Sequence, residues 1–253
     1  MNINNHQITS SAYLLVVHGS RYFRYNSDVE NLAKLVKQIF TNSYSASPES
    51  CLIKTAYLEL GILPLSEIIY NFSLNCLNTN IKKIKVLPLF LVPGFHVKKD
   101  IPEQVNQAQI RLGNQMFLEI MPHLGIYKNL IKLLATKFKE LRAEKRILLA
   151  HGSSLEKSNQ ECEQISSQLN AEIAYWSRNP SLSEKVNYLA NLGIESLAIL
   201  PYFLFEGKIT KAIATQIEEL KTTYPRLKIL AGKPLGTKPC PELANLICQI
   251  LDN

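Results

Sequence analysis

An apolar run that stops at His-Gly-Ser is written twice in this chain, as "LLVVHGS" at 14–20 and as "ILLAHGS" at 147–153. A short apolar run closed by a glycine turn is the pattern of a buried strand, and its recurrence means that the chain holds two copies of one unit. Further anchors repeat in the same order. "KVLPLFLVPG" at 85–94 is matched by "AILPYFLFEG" at 198–207, "MPHLG" at 121–125 loosely by "KPLG" at 233–236, and "TAYLEL" at 55–60 faintly by "IAYWSR" at 173–178. Any fold proposed for one half must also serve the other.

Between the anchors the apolar residues fall at helical spacing. In "DVENLAKLVKQIF" (28–40), Val29, Leu32, Leu35, Val36 and Phe40 share one face. "PLSEIIYNFSLNCL" (64–77) carries Pro, Ser and Glu near its start, as helix N-termini prefer, and "IYKNLIKLLATKFKEL" (126–141) is amphipathic and basic. The second half offers "NQECEQISSQLN", "SLSEKVNYLANL", "KAIATQIEEL" and "ELANLICQIL" in the corresponding slots. Apolar runs at 13–17, 52–58, 84–90 and 116–120, then at 146–150, 171–175, 197–203 and 227–231, read as buried parallel strands. This alternation predicts an α/β fold of two similar, flavodoxin-like lobes. Each is a parallel sheet with helices on both faces, and a cleft lies between them. The division falls at 143/144, giving lobes 1–143 and 144–253.

Ligands of such sheets collect beyond the carboxyl ends of the strands. Three side chains of the first half fall there: His18, Glu59 and His96. Two imidazoles and a carboxylate suit a borderline divalent ion such as iron, cobalt or nickel, and neutral histidine is also a competent proton acceptor near pH 7. Each residue taken singly also fits a structural role. The second half keeps His151 but has Ser177 and Ile209 where Glu59 and His96 stand. The turn is duplicated and the ligand set is not. Basic residues flank the same edge: Arg21 and Arg24 after the first turn, Lys98 and Lys99 after His96, and Lys208 and Lys211 in the second copy. Together they favour a substrate with several carboxylates. Lys98 and Lys99 stand near a helix start, where positive charge opposes the macrodipole, and Asp100 partly offsets it. Gly19-Ser20 has the form of an anion-binding turn, but nucleotide-loop spacing is absent. His6 and His123 read as surface residues, and Trp176 as core or cleft lining.

Composition narrows the partners. Hydrophobic residues make up 46% and charged residues 19% of 253, ordinary for a globular protein. The polar first eleven residues lack a signal-peptide core, and no apolar stretch nears the roughly 18 residues of a membrane span, so a cytoplasmic location without a membrane partner is expected. The net charge of +7 points to an anionic partner, while the dispersed lysines disfavour nucleic acid. Five cysteines without a C-x-x-C pair predict reduced, mostly buried thiols and no zinc or iron–sulfur framework.

"LLVVHGSR", "AYLELGILPLSEII" and "VLPLFLVPGFHVKKDIPE", in that order, resemble the sirohydrochlorin chelatase family, and the likeness extends over essentially the whole chain in the family's long, two-lobe form. The resemblance implies a class II chelatase, a lyase that inserts Fe2+ or Co2+ into sirohydrochlorin without ATP, in siroheme or cobalamin biosynthesis. His18 and His96 match the family's catalytic histidines and Glu59 its assisting acid, the three also holding the metal. Ser20, Arg21, Arg24, Lys98 and Lys99 become candidates for the macrocycle's carboxylates. No tightly bound cofactor is implied; the ion is a substrate, sirohydrochlorin the other partner, and fused lobes suit a monomer or weak dimer. Pro93 and Phe95 depart from the small residues usual in the family, and the histidine- or cysteine-rich tail of some relatives is missing. A non-catalytic tetrapyrrole or metal carrier using the same cleft is the alternative.

Overall fold

A computed structural model describes residues 11–43, 52–237 and 240–252. The apolar runs form β1 (Ser11–Val17), β2 (Ile53–Tyr57), β3 (Lys83–Pro88) and β4 (Phe117–Ile120), then β5 (Lys145–Ala150), β6 (Glu172–Tyr175), β7 (Ser196–Pro201) and β8 (Lys228–Ala231). Between them lie α1 (Phe23–Ser43), α2 (Leu65–Leu77), α3 (Ile101–Leu112), α4 (Lys128–Leu141), α5 (Glu156–Gln168), α6 (Leu182–Asn191), α7 (Lys208–Thr223) and α8 (Pro241–Asp252). The strands make two all-parallel sheets, ordered β2-β1-β3-β4 and β6-β5-β7-β8. No helix among the described residues is long and apolar enough to cross a membrane.

Strand alternation divides the core. In β1, Ala12, Leu14 and Val16 pack outward with α2 and α3, while Tyr13, Leu15 and Val17 face inward. In β5, Ile147 and Leu149 pack with α6 and α7, while Leu148 and Ala150 face inward. Both faces are buried, so these strands read as continuous apolar runs. The inward sets of the two sheets meet in one shared core, closed by α1, α4, α5 and α8. In α4, Leu130, Leu133, Leu134 and Phe138 line the buried face at helical spacing. Each such burial contributes roughly 1.5–3 kcal/mol.

Two helices cross the chain's midpoint. The first half's last helix, α4, packs against β7, with Leu141 beside Gly232, and α8 of the second half packs against α1, where Cys248 Sγ lies 3.4 Å from Val36 O. The sheets are thereby held face to face, and their carboxyl-terminal edges open on the same space.

Candidate functional site

His18 follows β1, Glu59 follows β2, and His96 opens a π-helical turn, His96–Asp100, that leads into α3. Because the sheet runs β2-β1-β3, these three strand ends are neighbours. The pairing continues past the strands: the Glu59 N–H donates to His18 O at 2.8 Å. Gly19 is required here, since its φ is 103° and a Cβ would lie 2.0 Å from Glu59 O. The result is a compact cluster. His18 Nε2 lies 3.1 Å from His96 Nε2 and 3.8 Å from Glu59 Oε2, and one ligand atom from each residue falls within 4.8 Å of the others.

Hydrogen bonds at the far side of each ring set the tautomers. His18 Nδ1 lies 3.1 Å from Gly19 O and His96 Nδ1 lies 2.7 Å from Asp100 Oδ2. Both partners only accept, so each Nδ1 carries the proton and each Nε2 presents a lone pair. Two lone pairs facing one another at 3.1 Å repel unless a proton or a cation lies between them. With metal–nitrogen bonds of about 2.1 Å, that separation corresponds to adjacent corners of a coordination shell, at about 95°. Asp100 was read from sequence only as an offset to lysine charge. Its i, i+4 spacing from His96 on a helical turn was the available signal for this bond.

A cavity of about 760 Å3 opens beside the cluster, lined by both lobes, within the roughly 300–1,000 Å3 usual for small-molecule sites. His18, Ser20, Arg21 and His96 line it from the first lobe, and His151 and Lys208 from the second. The other basic candidates are placed differently. Arg24 does not line the cavity and pairs with Glu206 at 3.2 Å, bridging the lobes. Lys98 and Lys99 are exposed on the π-helical turn and also lie off the cavity, because that turn directs His96 inward and its next residues outward. Lys211 lies 4.4 Å from the centre of the Tyr22 ring.

Two other expectations need correcting. His123 is buried, because its loop tucks beneath the one carrying His96, where the Gly125 N–H donates to Phe90 O at 3.0 Å. Burial, with Lys98 nearby, pushes its imidazole below the usual histidine range. Trp176, at the end of β6, is 37% exposed and does not line the cavity. Phe95 is exposed, whereas Pro93 is buried. Cys76, Cys162, Cys240 and Cys248 are buried thiols, and burial raises Cys162 to about 12. His6 and Cys51 lie outside the described residues.

The second lobe copies the backbone of the site and alters its side chains. The Ser177 N–H donates to His151 O at 2.9 Å, in the register of Glu59 on His18. Its hydroxyl, however, also turns back to His151 O, at 2.8 Å. This lobe also grips the loop that carries His96. The Tyr202 hydroxyl donates to Leu91 O at 3.1 Å, and Ser158 Oγ to Pro93 O at 3.4 Å. Tyr202 occupies the position of Leu89 in the first copy, so the hydroxyl belongs to one lobe alone.

The CbiX family model matches the chain twice, over residues 12–141 and 145–253. A sirohydrochlorin cobaltochelatase of Priestia megaterium is 26% identical over 242 residues, covering 89% of this chain and 74% of the relative. A sirohydrochlorin ferrochelatase of the same organism is 23% identical over 224 residues, covering 83% and 79%. Among solved structures, SirB from Bacillus subtilis with Fe3+ superposes with a TM-score of 0.76 at 22% identity, covering 94% of both chains. SirB from the subspecies spizizenii in complex with cobalt gives 0.70 at 21% identity, over 96% of both. At such identities the structural likeness speaks for the fold.

Proposed function

The chain belongs to the CbiX family, and from that premise we propose that it is a sirohydrochlorin chelatase, a lyase that inserts a divalent metal, Fe2+ or Co2+, into sirohydrochlorin without ATP. The single observation that carries this reading is the convergence of His18 Nε2, His96 Nε2 and a Glu59 oxygen beside a two-lobed cavity that both histidines line. Residues 1–143 supply the ligands and 144–253 the facing wall.

The ion enters the cluster as a substrate. His18 and His96 replace part of its water with imidazole nitrogen, and Glu59 supplies a carboxylate oxygen that offsets charge. Three ligands leave coordination positions open for the nitrogens of the macrocycle. The site is half-exposed, with the His18 and Glu59 side chains 44% and 50% accessible, so the ion can leave for the ring. The macrocycle occupies the cavity, where Arg21 and Lys208 meet its carboxylates and Ser20 contributes a hydroxyl near the first turn. Arg24, Lys98 and Lys99 have no part in this arrangement. The chemistry needs no tightly bound cofactor.

The test is direct. Purified protein is mixed anaerobically with sirohydrochlorin and either Fe2+ or Co2+, and metallation is followed by the change in the macrocycle's visible absorbance. The proposal expects acceleration over metal and macrocycle alone, and the faster ion identifies the preferred substrate. Binding of the macrocycle with no acceleration would instead mark a carrier.

A further inference from the structure

We infer that His151 is the proton acceptor for metal insertion, a catalytic residue supplied by the lobe that lacks the ligand set; the inference rests on the chelatase reading above. Insertion exchanges one dication for two protons. As each pyrrole N–H bond breaks, its electron pair stays on nitrogen and becomes a donor to the metal, and the proton must pass to a base. The imidazoles of the first lobe are unsuited to that task. Each Nδ1 already carries a proton bonded to Gly19 O or Asp100, and both Nε2 lone pairs are directed at the ion. A proton arriving beside the dication would also meet like charge. Glu59 shares that position, and a carboxylate is a weaker proton acceptor than imidazole.

Among the described residues, His151 is the other imidazole that lines the cavity, and it does so from the opposite lobe. Its Nδ1 lies 2.8 Å from Gly152 O, an acceptor, so Nε2 holds a lone pair in the tautomer adopted by His18. Among the described residues no metal set competes for that lone pair. Ile209 stands at the counterpart of His96, and the Ser177 hydroxyl is turned onto His151 O. The residue is exposed, so imidazolium formed by the first transfer can pass its proton to water and accept the second. Metal and proton acceptor thus approach the ring from different walls of one cavity, which keeps the two positive charges apart.

His151→Ala and His151→Gln test this assignment against the unsubstituted protein. Cobalt binding, read from its visible spectrum, and sirohydrochlorin binding, read from macrocycle absorbance, are expected to match the unsubstituted protein in both variants. Insertion is expected to fall about 100-fold or more, the scale of a lost general base, and added imidazole to restore part of it in His151→Ala. The assignment is overturned if His151→Gln inserts metal within about threefold of the unsubstituted rate. It is equally overturned if His151→Ala loses macrocycle binding and gains nothing from imidazole, which would make His151 a contact. If the unsubstituted protein fails to metallate sirohydrochlorin, the chelatase reading itself falls and takes this assignment with it.

Discussion

The two lobes share a backbone plan and differ in what their strand ends carry. In the first, Gly19 lies against the backbone of Glu59, and His18, Glu59 and His96 converge within hydrogen-bond or ligand distance. In the second, the atoms nearest a Cβ at Gly152 belong to the side chains of Ser177 and Arg178; Ser177 folds back on the turn, and Arg178 pairs with Glu156 at 3.2 Å. In place of ligands the second lobe has acquired contacts reaching across the cavity, from Tyr202 and Ser158 to the loop that carries His96. A duplicated unit can therefore divide its work: one copy carries the candidate ligand set, and the other holds the first copy's loop in place and forms the opposite wall.

The sharpest way to break this division is His96→Ala. Insertion should fall by more than about 100-fold, beyond the roughly 10–100-fold cost of losing an outer-shell partner, with the fold intact by circular dichroism. Near-normal turnover would mean that the first lobe's cluster is not the metal site.

The paired glycines sharpen the comparison through stability. Gly19→Ala adds a Cβ at φ 103° into the backbone oxygen of Glu59 and should cost about 3 kcal/mol or more. Gly152→Ala, at φ 85° against movable side chains, should cost about 1–2 kcal/mol. Equal shifts in urea midpoint would remove the distinction between a backbone-locked turn and a side-chain-packed one.

Asp100→Asn keeps an acceptor for His96 Nδ1 but removes its charge. Cobalt titration should show an affinity about 10–100-fold weaker, as expected for a carboxylate that raises a ligand's basicity. An unchanged affinity would reduce Asp100 to a helix residue without influence on the site.

The smallest effect belongs to Tyr202→Phe, which leaves the ring and strips one hydroxyl. Leu91 O, partly buried, then loses one partner, at a cost of about 0.5–1.5 kcal/mol in denaturant unfolding. Insertion should fall severalfold relative to the unsubstituted protein, because the loop that carries His96 loses this tether. Equal activities would show that the second lobe's grip on the His96 loop is only structural.

Much of this was legible before any coordinates. The strand runs, the amphipathic helices and the placing of His18, Glu59 and His96 at successive strand ends followed from periodicity and repetition. Ser177 and Ile209 were legible as replacements because the repeat supplied a register, and the backbone pairing of Ser177 on His151 keeps that register. The basic residues were not legible. Arg21 and Arg24 are close in sequence, yet one lines the cavity and the other pairs with Glu206 of the far lobe. His123 looked like a turn residue because nothing local announces the loop that covers it.

What the sequence determined alone is whatever backbone geometry makes local: a strand exposes alternate residues, a helix exposes a stripe, and a turn after a strand puts its side chain at the sheet's edge. Tertiary structure alone decided which charges face the cavity, that α4 and α8 cross between the lobes, and that Tyr202 and Asp100 support the loop and ring of His96. Those outcomes depend on surfaces brought together from distant parts of the chain, where packing and desolvation, rather than periodicity, choose the partner.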